Sequence, residues 1–327
     1  MKIKKRYISL IIILFLTGAV VYFGRQTASP DRKITWGATF EKNFAQKLGL
    51  DWRAAYLAIF DDLKIQNIRL AARWADIEPQ ENKFNFADLD WQVEQAAKRN
   101  VKIILAVGFK LPRWPECHEP DWVKDKKSAL LKYIETTVNR YKNNPSIVVW
   151  QVENEPFLSF GECLALDLNL LDQEIALVKK LDSRPIMITD SGELSVWVRA
   201  ARRGDIFGTT MYRWVWNQYL GSYKYPIPPA FFRFKEKLTR LFVGPAKPFV
   251  VIELQGEPWT HKQIYEIPIA EQLKLMPLSE FNATIDYAKQ TGFSDYYLWG
   301  VEWWYYLRQN GHPEYWEKVK NLIETSK

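Results

Sequence analysis

The 327-residue sequence predicts a single-domain (β/α)8 TIM barrel, of the α/β class, preceded by an N-terminal hydrophobic anchor or signal helix. Two observations predict the barrel. Eight short runs rich in β-branched and aromatic residues alternate with stretches of helical periodicity, and together they fill residues 34–327. An open, doubly wound sheet is the alternative. No glycine-rich phosphate turn follows the first strand, which counts against a nucleotide-binding version of that sheet.

Each predicted strand is a short apolar run that suits burial on both faces, and each predicted helix repeats apolar residues at intervals of three and four. The predicted strands are residues 34–40, 67–72, 101–107, a run around Trp150, 185–189, 205–212, a run around Val250, and 295–300. The predicted helices are one capped by Asp51, one through Leu89 that closes near Asn100, 130–141, one through Ile175, 196–201, 231–242, one through Ile285, and 313–325. A long aromatic loop is expected after the sixth strand.

The N-terminus differs in composition from the remainder of the chain. The formal net charge is +7, but the first thirty residues hold five basic residues and no acid, which leaves a net charge of +2 for the rest. A nearly neutral body gives no indication of a nucleic-acid-binding face. Residues 7–23 form an apolar run after the basic cluster. The small residues that a signal-peptide cleavage site requires do not follow this run directly and occur only at Thr27 and Ser29.

We therefore expect residues 1–25 to be a membrane anchor or a signal peptide, 26–33 a linker and 34–327 the barrel domain. The basic flank would stay in the cytoplasm, so the barrel would be exported, either anchored or secreted. In an oxidising compartment the two cysteines, Cys117 and Cys163, are candidates for a disulfide, because they follow neighbouring strands three and four. The three histidines lack metal-ligand spacing, so neither a metal nor a cofactor is expected, and we expect a monomer.

Polar residues occur where the apolar strands end, which in such a barrel is the active-site face. They are Arg69 and Arg73 after strand two, Asn154 and Glu155 after strand four, Tyr212 after strand six, Glu253 after strand seven, and Trp299 and Glu302 after strand eight. Any one alone is more often structural. As a set they project to one mouth, where two carboxylates facing one cleft are the apparatus of glycoside hydrolysis.

The two carboxyl groups need opposite protonation states, since one donates a proton to the leaving oxygen and the other attacks as an anion. Strand order places Arg69 and Tyr212 beside Glu253, where they would keep it ionised. Asn154, next to Glu155, is expected to bind a sugar hydroxyl. Two other acids lie close by: Glu257 is not excluded as the reacting carboxylate, and Glu153 is interpreted as a buried structural or substrate-contacting acid.

At these positions the sequence resembles the clan A glycoside hydrolases, the group that contains the family 5 cellulases and mannanases. The resemblance covers the chain from about Ile34 to its end. It is carried by Asn154-Glu155-Pro156, by Glu253 closing strand seven, by Ile68-Arg69-Leu70 followed by Trp74, and by Trp299-Gly300. It implies a retaining enzyme that cleaves β-linked saccharides, with Glu155 as acid/base and Glu253 as nucleophile.

The sequence departs from this pattern at Thr210, where many family 5 enzymes have histidine, and at the end of strand three, which lacks the histidine often found there. Sugar rings stack on aromatic faces, and Trp114, Trp299 and Glu302 are taken as further substrate-binding residues. The remaining tryptophans expected near the mouth, several of them packing loops instead, are Trp74, Trp122, Trp214, Trp216, Trp259, Trp303 and Trp304. A carbohydrate-binding barrel without activity and a transglycosidase with the same residues remain as alternatives.

Overall fold

The computed structural model, which describes residues 32–163 and 167–326, contains a closed barrel of eight parallel strands. Strand β1 pairs with β2 on one side and with β8 on the other, so the sheet has no free edge. The strands are β1 (Thr35–Thr39), β2 (Asn67–Ala71), β3 (Lys102–Val107), β4 (Ile147–Val152), β5 (Ile186–Asp190), β6 (Ile206–Met211), β7 (Phe249–Gln255) and β8 (Asp295–Trp299). The predicted barrel and all eight predicted strands are confirmed.

One main helix follows each strand and lies outside the barrel. These helices are α1 (Trp52–Asp61), α2 (Ala87–Lys98), α3 (Lys126–Tyr141), α4 (Leu168–Leu181), α5 (Val198–Ala201), α6 (Pro229–Val243), α7 (Leu278–Thr291) and α8 (Glu314–Glu324). As predicted, the Asp51 carboxylate caps α1 by accepting from the N–H groups of Arg53 and Ala54. Further short helices that the periodicity did not predict are Lys42–Lys47, Trp74–Ile77, Ile269–Leu275 and Val301–Gln309.

The apolar residues form two clusters. The larger joins the outward faces of the strands to the helices, and Trp150 and Trp316 are among its fully buried members. The smaller fills the barrel interior with side chains from five strands: Ile104, Val149, Met187, Val250, Ile252 and Tyr297. A barrel filled in this way is a packed core rather than a pore, so a ligand has room only at the ends of the strands.

The segment between β6 and α6, which the sequence indicated as a loop, contains an antiparallel hairpin. Trp214–Asn217 pairs with Gly221–Lys224. Glu280 of α7 holds the hairpin, because its carboxylate accepts from Trp214 Nε1 at 2.9 Å and from Lys224 Nζ at 2.7 Å. The hairpin thereby becomes a wall of the barrel mouth.

Cys117 and Cys163 form a disulfide, with their Cα atoms 5.4 Å apart. The bond links the loop after β3 to the loop after β4. Gly161 contributes to this contact, because a Cβ atom at Gly161 would collide with the carbonyl oxygen of Pro115. The predicted disulfide is therefore confirmed, and it ties together two neighbouring loops that rise side by side at the barrel mouth.

Glu153, the first residue after β4, is completely buried. Its carboxylate accepts from the backbone N–H groups of Phe109 at 3.0 Å and Lys110 at 2.7 Å. It lies against Gly108, where a Cβ atom would collide with the carboxylate. Glu153 therefore fixes the turn after β3, which agrees with the structural interpretation.

A second buried acid, Glu174 of α4, lies behind Glu153. Burial, and then the nearby Glu153 carboxylate, raise the pKa of Glu174 well above its ordinary value. Apart from a hydrogen bond shared with the Glu153 carboxyl group, neither oxygen of Glu174 has a partner among the described residues. Folding thus favours the protonated form of Glu174, whereas the unfolded chain exposes the carboxyl group to water and favours its ionisation.

The predicted anchor at residues 7–23 lies outside the described residues, as does most of the predicted linker. Among the helices of residues 32–163 and 167–326, none has the length and apolar character that crossing a membrane requires.

Replacing both Cys117 and Cys163 with Ser should lower the free energy of unfolding by up to about 4 kcal/mol, because the bond spans 46 residues and restricts the unfolded chain. Guanidinium unfolding of the oxidised wild type and of the variant measures the difference. The reduced wild type is the matched control and should unfold with the variant. Coincident curves for all three proteins would contradict the expectation.

Glu174→Gln should make the free energy of unfolding less dependent on pH between about pH 5 and 8. The native state keeps a proton on Glu174 that the unfolded chain releases, so the stability of the wild type falls as pH rises, by at most about 1.4 kcal/mol per pH unit. Urea unfolding at several pH values measures this slope. Glu135→Gln, which changes an exposed carboxylate on α3, should keep the wild-type slope. Equal slopes in wild type and Glu174→Gln would refute a protonated Glu174.

Candidate functional site

A cavity of about 730 Å³ opens at the C-terminal ends of the strands. Its lining combines acidic and aromatic side chains, a composition suited to a polyhydroxylated ligand. The acidic members are Glu116, Glu155, Glu193, Glu253, Glu257 and Glu266. The aromatic members are Phe44, Trp114, Phe160, Tyr212, Trp216, Tyr223, Tyr225, Trp259 and Trp299.

Glu253 lies in β7 and is buried beside two hydrogen-bond donors. Arg69 Nη1 from β2 donates to Glu253 Oε1 at 2.6 Å, and the Tyr212 hydroxyl donates to Oε2 at 3.0 Å. Burial, and then the Glu253 charge, raise the pKa of Tyr212 well above its ordinary value, so this hydroxyl keeps its proton. Both oxygens of Glu253 are thus bonded to donors, which favours the ionised carboxylate.

Glu155 follows β4 and has the opposite environment. Its Oε1 accepts from the Thr210 hydroxyl at 3.2 Å, and its backbone N–H bonds Thr189 Oγ1 at 2.8 Å. Burial, and then the charges of Glu253 and Glu116, raise the pKa of Glu155 well above its ordinary range. These surroundings therefore favour the protonated form of Glu155. Thr210, the position that departed from the family pattern, contacts this group directly.

Asn154 is held by the same buried guanidinium that contacts Glu253. Arg69 Nη2 donates to Asn154 Oδ1 at 2.7 Å, and Arg69 Nε donates to Gln151 Oε1 at 2.8 Å. Because its oxygen is occupied, Asn154 presents its amide nitrogen to the cavity, with no acceptor for it within residues 32–163 and 167–326. Arg69 itself is fully buried, so it positions Asn154 and Glu253 instead of touching a ligand.

Trp299, at the end of β8, lines the cavity, but its ring is covered on one face. The Arg113 guanidinium lies 4.3 Å from the ring centroid, and Trp299 Nε1 donates to Glu257 Oε1 at 2.9 Å. Arg113 also pairs with both oxygens of Glu257. Glu257 is therefore held by the Arg113 cation and the Trp299 indole.

Two predicted mouth residues lie behind the cavity wall. Glu302 belongs to the helix Val301–Gln309 and accepts from Arg113 Nη2 at 3.2 Å and from the Glu41 backbone. Arg73 donates to Glu41 at 3.1 Å and contacts His118. Glu302 thus braces Arg113, and its placement at a strand end was not enough to bring it to the cavity.

The predicted aromatic set divides between the cavity and the core. Trp114, Trp216 and Trp259 line the cavity, and Trp114 is about half exposed on its rim, at 49%. The others lie away from the lining: Trp74, Trp303 and Trp304 are buried, Trp122 donates to the carbonyl of Glu78, and Trp214 donates to Glu280.

Sequence reasoning missed three carboxylates of the lining: Glu116, Glu193 and Glu266. Glu116 lies in the loop after β3, and Glu193 follows β5, where its carboxylate accepts from Tyr212 N at 2.8 Å. Both come a few residues beyond their strands, so a search limited to strand ends passes over them. The described residues include no group of three or more His, Cys, Asp or Glu side chains that could hold a metal ion.

Two family models match overlapping parts of the chain. The model described as glycosyl hydrolase family 10 matches residues 28–165, and that described as glycosyl hydrolases family 2, TIM barrel domain, matches residues 107–260. Each covers less than half of the chain. Both matched stretches include Glu155, and the second also includes Glu253.

Curated relatives match only part of the chain. The β-galactosidase BgaA of Clostridium cellulovorans is 23% identical over 49% of this chain and 29% of its own length. The β-galactosidase LacZ of Lactobacillus acidophilus is 29% identical over 25% of this chain and 16% of its own length. The alignments thus span less than a third of either relative.

Solved structures with the same fold are more distant in sequence. A GH5_18 protein from Bifidobacterium longum subsp. longum has a TM-score of 0.59 at 12% identity, covering 81% of this chain and 68% of that one. Xylanase 10B of Thermotoga petrophila has a TM-score of 0.53 at 17% identity, covering 82% of each chain. At these identities the likeness concerns the fold alone. The closed eight-stranded barrel and the two partial family matches make the chain similar to the clan A (β/α)8-barrel glycosidases.

Proposed function

We propose that the protein is a retaining glycosidase that hydrolyses β-linked O-glycosidic bonds of oligo- or polysaccharides. One observation carries the proposal: two carboxyl groups of one cavity have opposite surroundings. Glu253 receives hydrogen bonds from Arg69 and Tyr212, whereas Glu155 is buried among negative charges. A pair of this kind supplies one nucleophile and one acid.

In the first step, Glu253 attacks the anomeric carbon while Glu155 gives its proton to the leaving oxygen, which yields a covalent glycosyl-enzyme. In the second step, Glu155, now ionised, takes a proton from water as the water displaces Glu253, and the sugar leaves with retained configuration. Arg69 remains beside Glu253 through both steps. It can therefore pair with the Glu253 carboxylate again when the second step releases it.

Substrate binding is proposed to rest on Asn154 and the aromatic walls. The Asn154 amide faces the cavity and would donate to a hydroxyl of the reacting sugar. Trp114, Trp216 and Trp259 supply faces on which sugar rings stack. The β-galactosidases and the xylanase among the similar proteins make aryl β-galactosides and β-xylosides the first substrates to test, followed by β-glucosides and β-mannosides.

Glu253→Ala should lower kcat by a factor on the order of 10⁴, and azide should restore turnover. Azide enters the space left by the carboxylate and attacks from that face, so the rescued product should be the α-glycosyl azide. Glu155→Ala should instead give the β-glycosyl azide, because azide then attacks the glycosyl-enzyme from the opposite face. NMR of the products distinguishes the two.

Glu257→Ala is the matched control, since Glu257 lines the same cavity but is paired with Arg113. Rescue of Glu257→Ala, with no rescue of Glu253→Ala, would assign the nucleophile to Glu257. A wild-type protein that binds oligosaccharides but cleaves none of the substrates would contradict the proposal and favour a binding barrel.

We also propose that the barrel lies outside the cytoplasm, held at the membrane by residues 7–23. The basic cluster before that run supports this orientation. The disulfide supports an oxidising compartment, because such bonds rarely persist in the cytosol.

Carbonate extraction of membranes should therefore leave the full-length protein in the pellet, since a hydrophobic anchor resists removal at high pH. A variant that lacks residues 1–31 is the control and should appear in the supernatant. A full-length gene product that is released as a mature protein beginning near Ser29 would contradict the anchor and indicate a cleaved signal peptide.

A further inference from the structure

A third carboxylate, Glu116, lies in the wall of the cavity beside the two reacting groups. It is 7% exposed and lines the cavity together with Glu155 and Glu253. Its charge acts on Glu155, and the charge of Glu253 acts on Glu116 in turn. Glu116 therefore faces the space in which the proposed function places the reacting sugar.

Within the described part of the chain, the Glu116 carboxylate is paired at one oxygen only, by the cation of Lys110. No group of the described residues donates to its Oε2 with hydrogen-bond geometry. The nearest cation, Lys110 Nζ, lies 3.3 Å from Oε2 and donates to the carbonyl oxygens of Glu155 at 2.9 Å and Leu158 at 2.7 Å. Lys110 thus offsets the charge of Glu116 at the buried Oε2, and Oε1 is the oxygen left for a ligand in the cavity.

The backbone holds this unpaired acceptor in a defined position. Glu116 has φ +70°, a conformation that a residue with a side chain rarely adopts without support. The support comes from bonds of Glu116 N to the Arg113 carbonyl and of Leu111 N to the Glu116 carbonyl, both at 2.8 Å. The next residue, Cys117, is fixed by the disulfide to Cys163. A buried acceptor held in this way is built to receive donors from a ligand.

We propose that Glu116 is a substrate-contacting, specificity-determining residue, which accepts hydrogen bonds from ring hydroxyls of the sugar held between Glu155 and Glu253. The inference rests on the proposed glycosidase function and adds a substrate class to it. Hydroxyl groups satisfy the carboxyl group of Glu116, whereas an ionised sugar carboxylate has no proton to donate and would place a further negative charge beside Glu253. The reacting sugar is therefore a neutral hexose or pentose and not a uronic acid.

The test compares wild type with Glu116→Gln on aryl β-glycosides and on their monodeoxy analogues. Glu116→Gln keeps the shape but loses the charge, so kcat/KM for the parent glycoside should fall about 10- to 100-fold. For the analogue that lacks the contacted hydroxyl, kcat/KM of the wild type should already be low. Glu116→Gln should lower that kcat/KM by less than about a further threefold. The wild type should also have a higher kcat/KM for the neutral glycoside than for the matching uronide. Glu116→Gln should reduce the ratio of these two kcat/KM values.

Glu162→Gln is the matched control, because Glu162 is exposed on the loop joined to that of Glu116 by the disulfide. It should leave every kcat/KM unchanged. An active wild type whose Glu116→Gln variant loses equally on the parent and on every deoxy analogue would overturn the role of Glu116. A wild type inactive on all glycosides would overturn the glycosidase function itself, so the two failures are distinct.

A crystal structure of Glu155→Gln with a bound oligosaccharide tests the contact independently of the folding of any Glu116 variant. A Glu116 oxygen should lie about 2.5–3.0 Å from a ring hydroxyl of the sugar next to Glu253. A sugar bound there with no hydroxyl in reach of Glu116 would overturn the proposal.

Discussion

The arrangement of the cavity depends on one buried guanidinium. Arg69 is fully buried, and its three nitrogen atoms contact Gln151, Glu253 and Asn154. An isolated charge of either sign in this position would be strongly unfavourable, so Arg69 and Glu253 each need the other. Because the fork of the guanidinium is rigid, the same contacts set the distance between β2, β4 and β7 at their C-terminal ends. Fold and site therefore share one interaction.

The difference between the two carboxyl groups follows from what surrounds them. The bonds of Arg69 and Tyr212 stabilise an anion at Glu253, and that anion then raises the cost of ionising Glu155. The second negative neighbour, Glu116, acts on Glu155 in the same direction. Lys110 binds the carbonyl oxygens of the Glu155 loop and holds the position of that residue. An acid and a nucleophile thus arise from identical side chains through the placement of donors and charges.

The walls of the mouth are held by ion pairs as well as by aromatic packing. Arg113 bridges Glu257 and Glu302, and its guanidinium covers the Trp299 ring and the Phe44 ring. Only the opposite face of the Trp299 ring is consequently free to contact a ligand in the cavity. The loop of Arg113 also carries Glu116 and Cys117, so a single loop after β3 contributes the bracing cation, the open acceptor and one end of the disulfide.

Local sequence determined the barrel, because alternating strand and helix periodicities arise from short-range burial patterns that each segment carries by itself. It also placed Glu155 and Glu253 at strand ends, and it indicated the disulfide, since loops after consecutive parallel strands must be neighbours. The tertiary structure alone decided which strand-end residues face the cavity. Glu302 pairs with Arg113, Arg69 is buried, and Glu116, which belongs to a loop, lines the cavity wall. These outcomes rest on contacts between residues distant along the chain, such as Arg113 with Glu302, and no local periodicity encodes such pairs.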